Sequence, residues 1–307
     1  MVERLKAVWE GLDKAESSLV GAGVRSNPEL LATFFDGCLV SRNDFALLFR
    51  LAAGFDPDRL TSRDYLNRYP FSTLDLIDAR LSALVEMDCL DYKRKIYAVT
   101  GTGWELLHGY YNVVAGGIDR LVLESVSPEE IEYLLQMDRR LVEGCAAADV
   151  SYERPILKNR LHGFRPPYEP LRLSHHWQRI WTLNACREDA GEAVRERSGL
   201  DPLVWFARGQ IKTRRFEIGN ADDLARVARR YAPVTERACQ DALQSLINMG
   251  WIFHGGEIFR MTGAGQRAFE QDEQQIDRLF FASWPELSEV DGDRLVDITS
   301  RLNAELK

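Results

Sequence analysis

At 307 residues, 45% of them hydrophobic and 28% charged, the chain has the length and apolar content for two domains of ordinary size. No stretch is apolar over the length that spans a bilayer, and the start MVERLKAVWEGLDKAESS lacks the apolar region of a signal peptide, so a cytoplasmic protein without membrane contact is expected. A formal net charge of −8 argues against coating nucleic acid by bulk electrostatics but leaves local basic surfaces open.

In chain order, residues 3–20 place Leu5, Val8, Trp9 and Leu12 at helical spacing. Asn27-Pro28 starts a second helical run to Phe35, and Asn43 precedes a third that Gly54 closes. Thr61 caps a short helix ended by Tyr69-Pro70, and Ser72 is expected to cap a longer one running to Met87. Cys89-Leu90-Asp91 and Ile96–Val99 read as two strands around the polar tip Lys93-Arg94-Lys95. A long helix from Gly103 to Glu124 follows, interrupted near Gly116-Gly117, and Ser127-Pro128-Glu129-Glu130 opens the next. Residues 151–174 carry Pro155, Pro166, Pro167 and Pro170 and read as a semi-extended connector. Beyond it, a helix starts at Ser174, and Leu203–Arg208, Phe216–Ile218 and Asp222–Arg230 complete the core of the second half. A final helix carries Leu295, Ile298 and Leu302.

The stretch Asp78–Leu107 recurs, without a gap, as Gln240–Phe269. Leu81, Leu84, Met87, Ile96, Thr100, Gly101 and Gly103 return as Leu243, Leu246, Met249, Ile258, Thr262, Gly263 and Gly265. A repeat this long points to a duplicated domain rather than to a solenoid array. Each copy reads as helix, two-stranded hairpin, then a threonine-capped helix, and the second hairpin tip is His254-Gly255-Gly256. The proline before the reading helix repeats too, as Pro70 and Pro233.

That order, with its L…L…M…hairpin…T-x-x-G run, resembles the winged helix-turn-helix of the MarR family of bacterial regulators. The resemblance implies a mainly α fold with small β-wings, in which two winged helix-turn-helix domains are joined through a shared helical bundle. It divides the chain into an N-terminal half (1–150), a Pro-rich linker (151–174) and a C-terminal half (175–307). Because both halves carry the flanking helices that interlock two MarR subunits, it also implies a monomer acting as a pseudo-dimer. The partner it implies is double-stranded DNA, at an asymmetric or imperfectly palindromic site, because the two reading helices differ at nearly every exposed position.

In such a fold the first turns of the reading helix meet base edges and the wing meets phosphate. The first copy offers Ser72, Thr73 and Arg80, with Lys93, Arg94 and Lys95 on its wing. The second offers Thr235, Arg237, Gln240 and Gln244, with Arg229 and Arg230 just before them. Arg63, Arg68, Lys212, Arg214, Arg215 and Arg226 lie near enough in sequence to add phosphate contacts. Asp75, Asp78 and Asp241 oppose them, so a winged-helix protein that has lost DNA binding and acts through protein contacts or small-molecule sensing stays open.

Aromatic residues form a second candidate site. Trp177 and Trp181, one helical turn apart, together with Tyr110 and Trp284, can line an effector cleft in which Arg187 and Asp189 are the polar anchors. Ordinary core packing explains the same pattern.

No catalytic or cofactor signature is present: the five histidines show no HExxH, and there is no GxSxG, P-loop or dinucleotide-binding glycine set. A non-enzymatic protein without cofactor or metal is expected, a winged-helix DNA glycosylase being the least implausible enzyme. The five cysteines, Cys38, Cys89, Cys145, Cys186 and Cys239, form no CxxC pair and read as buried or incidental thiols.

Overall fold

The computed structural model describes residues 2–26, 28–36, 40–69, 71–163, 172–213 and 216–306. The first half builds α1 (Val2–Ser26), α2 (Pro28–Asp36), α3 (Arg42–Gly54), α4 (Ser62–Arg68), α5 (Leu74–Glu86), β1 (Leu90–Lys93), β2 (Ile96–Val99), α6 (Gly101–Ile118) and α7 (Pro128–Ala147). Then come α8 (Pro155–Gly163), α9 (Ser174–Ser198), α10 (Pro202–Thr213), α11 (Ala221–Ala228), α12 (Glu236–Asn248), β3 (Ile252–Gly255), β4 (Ile258–Met261), α13 (Gly263–Phe281) and α14 (Glu289–Glu305). The fold is thus mainly helical, with two small antiparallel two-stranded sheets, β1-β2 and β3-β4.

Local chemistry explains where most helices begin. Thr61 and Ser127 each accept a backbone hydrogen bond from the third residue of their helix, whose carboxylate (Asp64, Glu130) reaches back to the cap, a reciprocal capping box. Thr100 and Thr262 cap α6 and α13 alike, each accepting from a glycine amide at 3.0 Å (Gly103, Gly265). Three expected boundaries move. Ser41 rather than Asn43 caps α3, and Thr73 rather than Ser72 caps α5. The last helix, whose start the sequence left open, is capped by Ser288. Helix α6 runs unbroken through Gly116-Gly117 and ends at Ile118. Asn27, Cys38, Pro70, Arg214 and Arg215 lie outside the described residues, as do Pro166, Pro167 and Pro170 of the connector.

The connector itself is corrected at its start, where α8 replaces extended chain. The cap of α8 is remote in sequence: the buried Asp189 carboxylate on α9 accepts from the amides of Ile156 (2.9 Å) and Leu157 (2.8 Å). A carboxylate at a helix N-terminus satisfies orphan amides and faces the positive end of the dipole.

The chain packs as two compact units that do not follow the sequence halves. One comprises Met1–Pro57, Val99–Ala190 and Asp277–Lys307; the other comprises Asp58–Ala98 and Gly191–Ile276.

The first unit is helical. Val8, Leu12, Ala15 and Leu19 line the buried face of α1, which packs along α14 and α6. Where α1 crosses α6, Gly117 lies so close to the carbonyl of Gly23 that any side chain there would collide with backbone.

The second unit holds α4, α5, both hairpins and α10–α12. Its core around the second hairpin is Leu203, Val204, Ala207, Ile211, Leu224, Leu243, Leu246 and Ile252. Each hairpin gains a third extended segment: Leu60 and Tyr97 exchange backbone hydrogen bonds of 3.0 and 2.8 Å, and the amide of Phe259 donates to Ile218 O at 2.8 Å. Tyr97 and Phe259 are repeat equivalents, so the duplication extends to the added segment.

Candidate nucleic-acid interface

Helix α12 is amphipathic for a simple reason. Cys239, Ala242, Leu243 and Leu246 fall on one face and are buried. Thr235, Glu236, Arg237, Gln240, Asp241, Gln244 and Asn248 fall on the other and are exposed. The Thr235 hydroxyl accepts from the Ala238 amide at 3.2 Å and fixes the first turn. On the exposed face Arg237 pairs with Asp241, Nε to carboxylate 3.2 Å, and Gln244 donates to Asn248 at 2.9 Å. Both members of the ion pair stay wet, with side chains 80% and 62% exposed, so the guanidinium is held only weakly. On the buried face, burial pushes the Cys239 thiol up to about 11, which leaves it protonated and inert.

The repeat-equivalent helix α5 is used differently. Its Arg80 donates to the backbone carbonyl of Arg229 at 3.0 Å, at the end of α11. Nearby, the Tyr65 hydroxyl donates to the carbonyl of Tyr231, and Phe71 packs on Phe206 with ring centroids 5.9 Å apart. Helix α5 and the residues just before it therefore touch α10 and the end of α11, just ahead of the second copy. Asp78 accepts from the Ser62 hydroxyl, and Ser72 Oγ is buried without a hydrogen-bond partner, so Ser72 presents nothing outward. The exposed positions of α5 include Leu74 and Leu76, each 39% exposed, with Asp75, Asp78 and Ala79 beside them.

The two hairpin tips differ. At Lys93-Arg94-Lys95-Ile96 both central residues are left-handed, with φ of 53° and 66°. This is the geometry of a type I′ turn, which favours Asn-Gly and is costly for Arg and Lys. Lys93 is paired with Asp91; Arg94 and Lys95 are exposed. In the second hairpin Gly255 pairs with Ile258, so the tip is Gly256-Glu257 and not the expected His254-Gly255-Gly256. Gly256 takes φ 83°, as the first central residue of a type II′ turn does.

Most remaining cations of this unit are engaged locally. Arg226 pairs with Asp223, and Arg229 Nε donates to Val234 O at 3.3 Å. Arg230 lies over the Phe216 ring at 4.5 Å, an arrangement that leaves its charge on the surface. Arg208 is buried, bonded to Asp272 at 2.6 Å and faced by Trp205, Trp251 and Phe269. The Trp205–Arg208 spacing is the one sequence signal that could have revealed it.

Neither a family model, nor a curated protein, nor a solved structure matches this chain. What the residues can do is therefore argued from their own arrangement.

The aromatic residues of the second candidate site are committed to packing in the helical unit. Trp177 stacks on Tyr111 at 5.0 Å and 12°. Trp181 stacks on Phe49 at 5.0 Å, with Arg160 over its ring at 3.4 Å. Tyr110 joins Phe34, Phe35, Phe45 and Phe49, so it shares Phe49 with Trp181. Trp284 packs on Trp9, Phe280 and Phe281. Arg187 is bonded to Asp277, and Asp189 caps α8. All six side chains are engaged by neighbours, although the Trp284 indole nitrogen is buried without a hydrogen-bond partner.

No described helix is long and apolar enough to cross a membrane.

Proposed function

We propose that this protein is a DNA-binding regulator of winged-helix type that reads its site with one helix, α12. The observation that carries this reading is the asymmetry between the two copies. Arg80 of α5 is spent on the Arg229 carbonyl, whereas Arg237, Gln240 and Gln244 of α12 stand exposed on one face. Arginine and glutamine at the start of a helix suit the bidentate edges of guanine and adenine in the major groove. The Arg94-Lys95 tip, held in a conformation those residues ordinarily avoid, supplies sequence-independent phosphate contacts. The proposal includes no effector, because the six residues that would hold one are engaged by neighbours.

The test is affinity for a duplex selected from a random library and for an unrelated duplex, across a salt series. Arg237→Ala should cost about 1–3 kcal/mol on the selected duplex and relax its sequence preference. A wild-type protein that binds neither duplex at low salt overturns the reading.

One observation favours a second reading, a protein-interaction module without DNA binding. Leu74 and Leu76 stand partly exposed on α5 beside the carboxylates of Asp75 and Asp78, a surface that repels phosphate. Failure of every duplex would leave that reading in place.

A further inference from the structure

Two of the five cysteines meet inside the helical unit. Cys145 on α7 and Cys186 on α9 are both fully buried, and their sulfurs lie 3.5 and 3.3 Å from one oxygen, Ser283 Oγ. That hydroxyl has a single proton, which it donates to the Phe280 carbonyl at 2.6 Å. Its lone pairs are therefore left to accept from the thiols, which aims both sulfurs at the same point.

We propose that Cys145 and Cys186 are a modification site at which hydrogen peroxide forms a reversible disulfide linking α7 to α9.

The surroundings assign a role to each sulfur. Arg154 donates to the carbonyls of Cys145 and Ala148, which sets a guanidinium beside the pair. The neighbouring Cys145 thiol, with Ser283 and Arg154, outweighs the cost of burial and pulls the Cys186 thiol below its ordinary value. The neighbouring Cys186 and burial push Cys145 well above its own. Cys186 is then the nucleophile and Cys145 the resolving thiol. The fixed cation also makes the pair a poor site for a metal ion.

The chemistry balances with peroxide as the only oxidant. The Cys186 thiolate attacks one peroxide oxygen, the O–O bond breaks, and the departing hydroxide takes a proton to leave as water. Cys145 sulfur then attacks the sulfenic sulfur, the S–O bond breaks, and the leaving hydroxide takes the Cys145 proton as a second water. Two thiols lose two electrons and one peroxide gains them.

The experiment treats the full chain with hydrogen peroxide, blocks remaining thiols with N-ethylmaleimide after denaturation, and maps unreduced peptides. The expected result is a Cys145–Cys186 linked peptide, loss of two of the five blockable thiols, and full reversal by dithiothreitol. In Cys145→Ser, Cys186 should stop at a sulfenic acid that dimedone traps. In Cys186→Ser, Cys145 should remain a free thiol. The proposal is overturned if all five thiols are still blocked after peroxide treatment of the wild type. It is equally overturned if dimedone labels Cys145 in the Cys186→Ser protein.

Discussion

His176 and Asp138 are both wholly buried and lie 2.7 Å apart, Nδ1 to carboxylate. Burial alone would pull the imidazole down. The Asp138 carboxylate, the charge of Glu16 and the nearby Leu12 carbonyl together push it above its ordinary value of 6.5. A raised histidine contributes its stability in full below that ordinary value and loses it as pH rises through the folded value. The melting temperature should therefore fall as pH rises above 6.5, and a His176→Gln protein should lack that step. The variant should also be less stable near neutral pH by about 3–5 kcal/mol, because Asp138 is left buried without its partner. A wild-type profile that stays flat as pH rises from 6.5 would contradict this. Glu130 has the opposite sign. Hydrogen bonds from Arg301 and from the Ser127 amide depress its carboxyl from 4.5 to about 2. Its contribution is present above 4.5 and is lost as pH falls towards about 2. Glu130→Gln should lower the melting temperature at neutral pH, with the two proteins converging at the acid end of a calorimetric series.

Among the elements, the first hairpin sets stability against charge. Its tip is a type I′ turn made by Arg94 and Lys95, at φ 53° and 66°. Replacing them with the residues the turn prefers, as Arg94→Asn with Lys95→Gly, should stabilise the protein by about 1–2 kcal/mol by removing left-handed strain. If the tip contacts phosphate, the same variant should bind every duplex more weakly and flatten the salt dependence by roughly one unit of slope per lost contact. Chemical denaturation and a salt titration on one sample measure both. A variant that gains stability and keeps full affinity would remove the wing from the interface. Both hairpins were legible in the sequence, as were the caps at Thr61, Thr100, Ser127 and Thr262, because strand alternation and capping are local. Helix α8 was not: three connector prolines masked it, and its cap, Asp189, comes from another helix. Ser72 and Thr73 were confused because either can cap, and only the backbone at Thr73, φ −128° and ψ 154°, decides between them. Within the candidate site, the exposed face of α12 follows from helical period, whereas the fate of Arg80 depends on a partner 149 positions away.

At the scale of the molecule, duplication has yielded two copies with one backbone grammar and two different surfaces. Leu81, Leu84 and Leu90 are buried as Leu243, Leu246 and Ile252 are, so the apolar repeat preserves packing. The polar positions have diverged: Arg80 bonds to the backbone at the end of α11, ahead of the second copy, while Gln240 and Gln244 face outward. Two unlike reading helices predict an asymmetric or imperfectly palindromic site. If α12 alone reads DNA, as proposed, a single half-site under α12 is the expected footprint. Two substitutions separate these outcomes. Arg80→Ala removes an exposed hydrogen bond to a carbonyl, so it should cost about 0.5–1.5 kcal/mol of stability and leave the preferred sequence unchanged. Gln240→Ala touches no described neighbour that an ordered contact would lose, so stability should hold while preference at one base pair relaxes by about 1–3 kcal/mol. Selection of duplexes from a random library by wild type and both variants reads the result directly. A wild-type motif with two half-sites, one of which degrades in Arg80→Ala, would return α5 to the role of reading helix and overturn the single-helix interface.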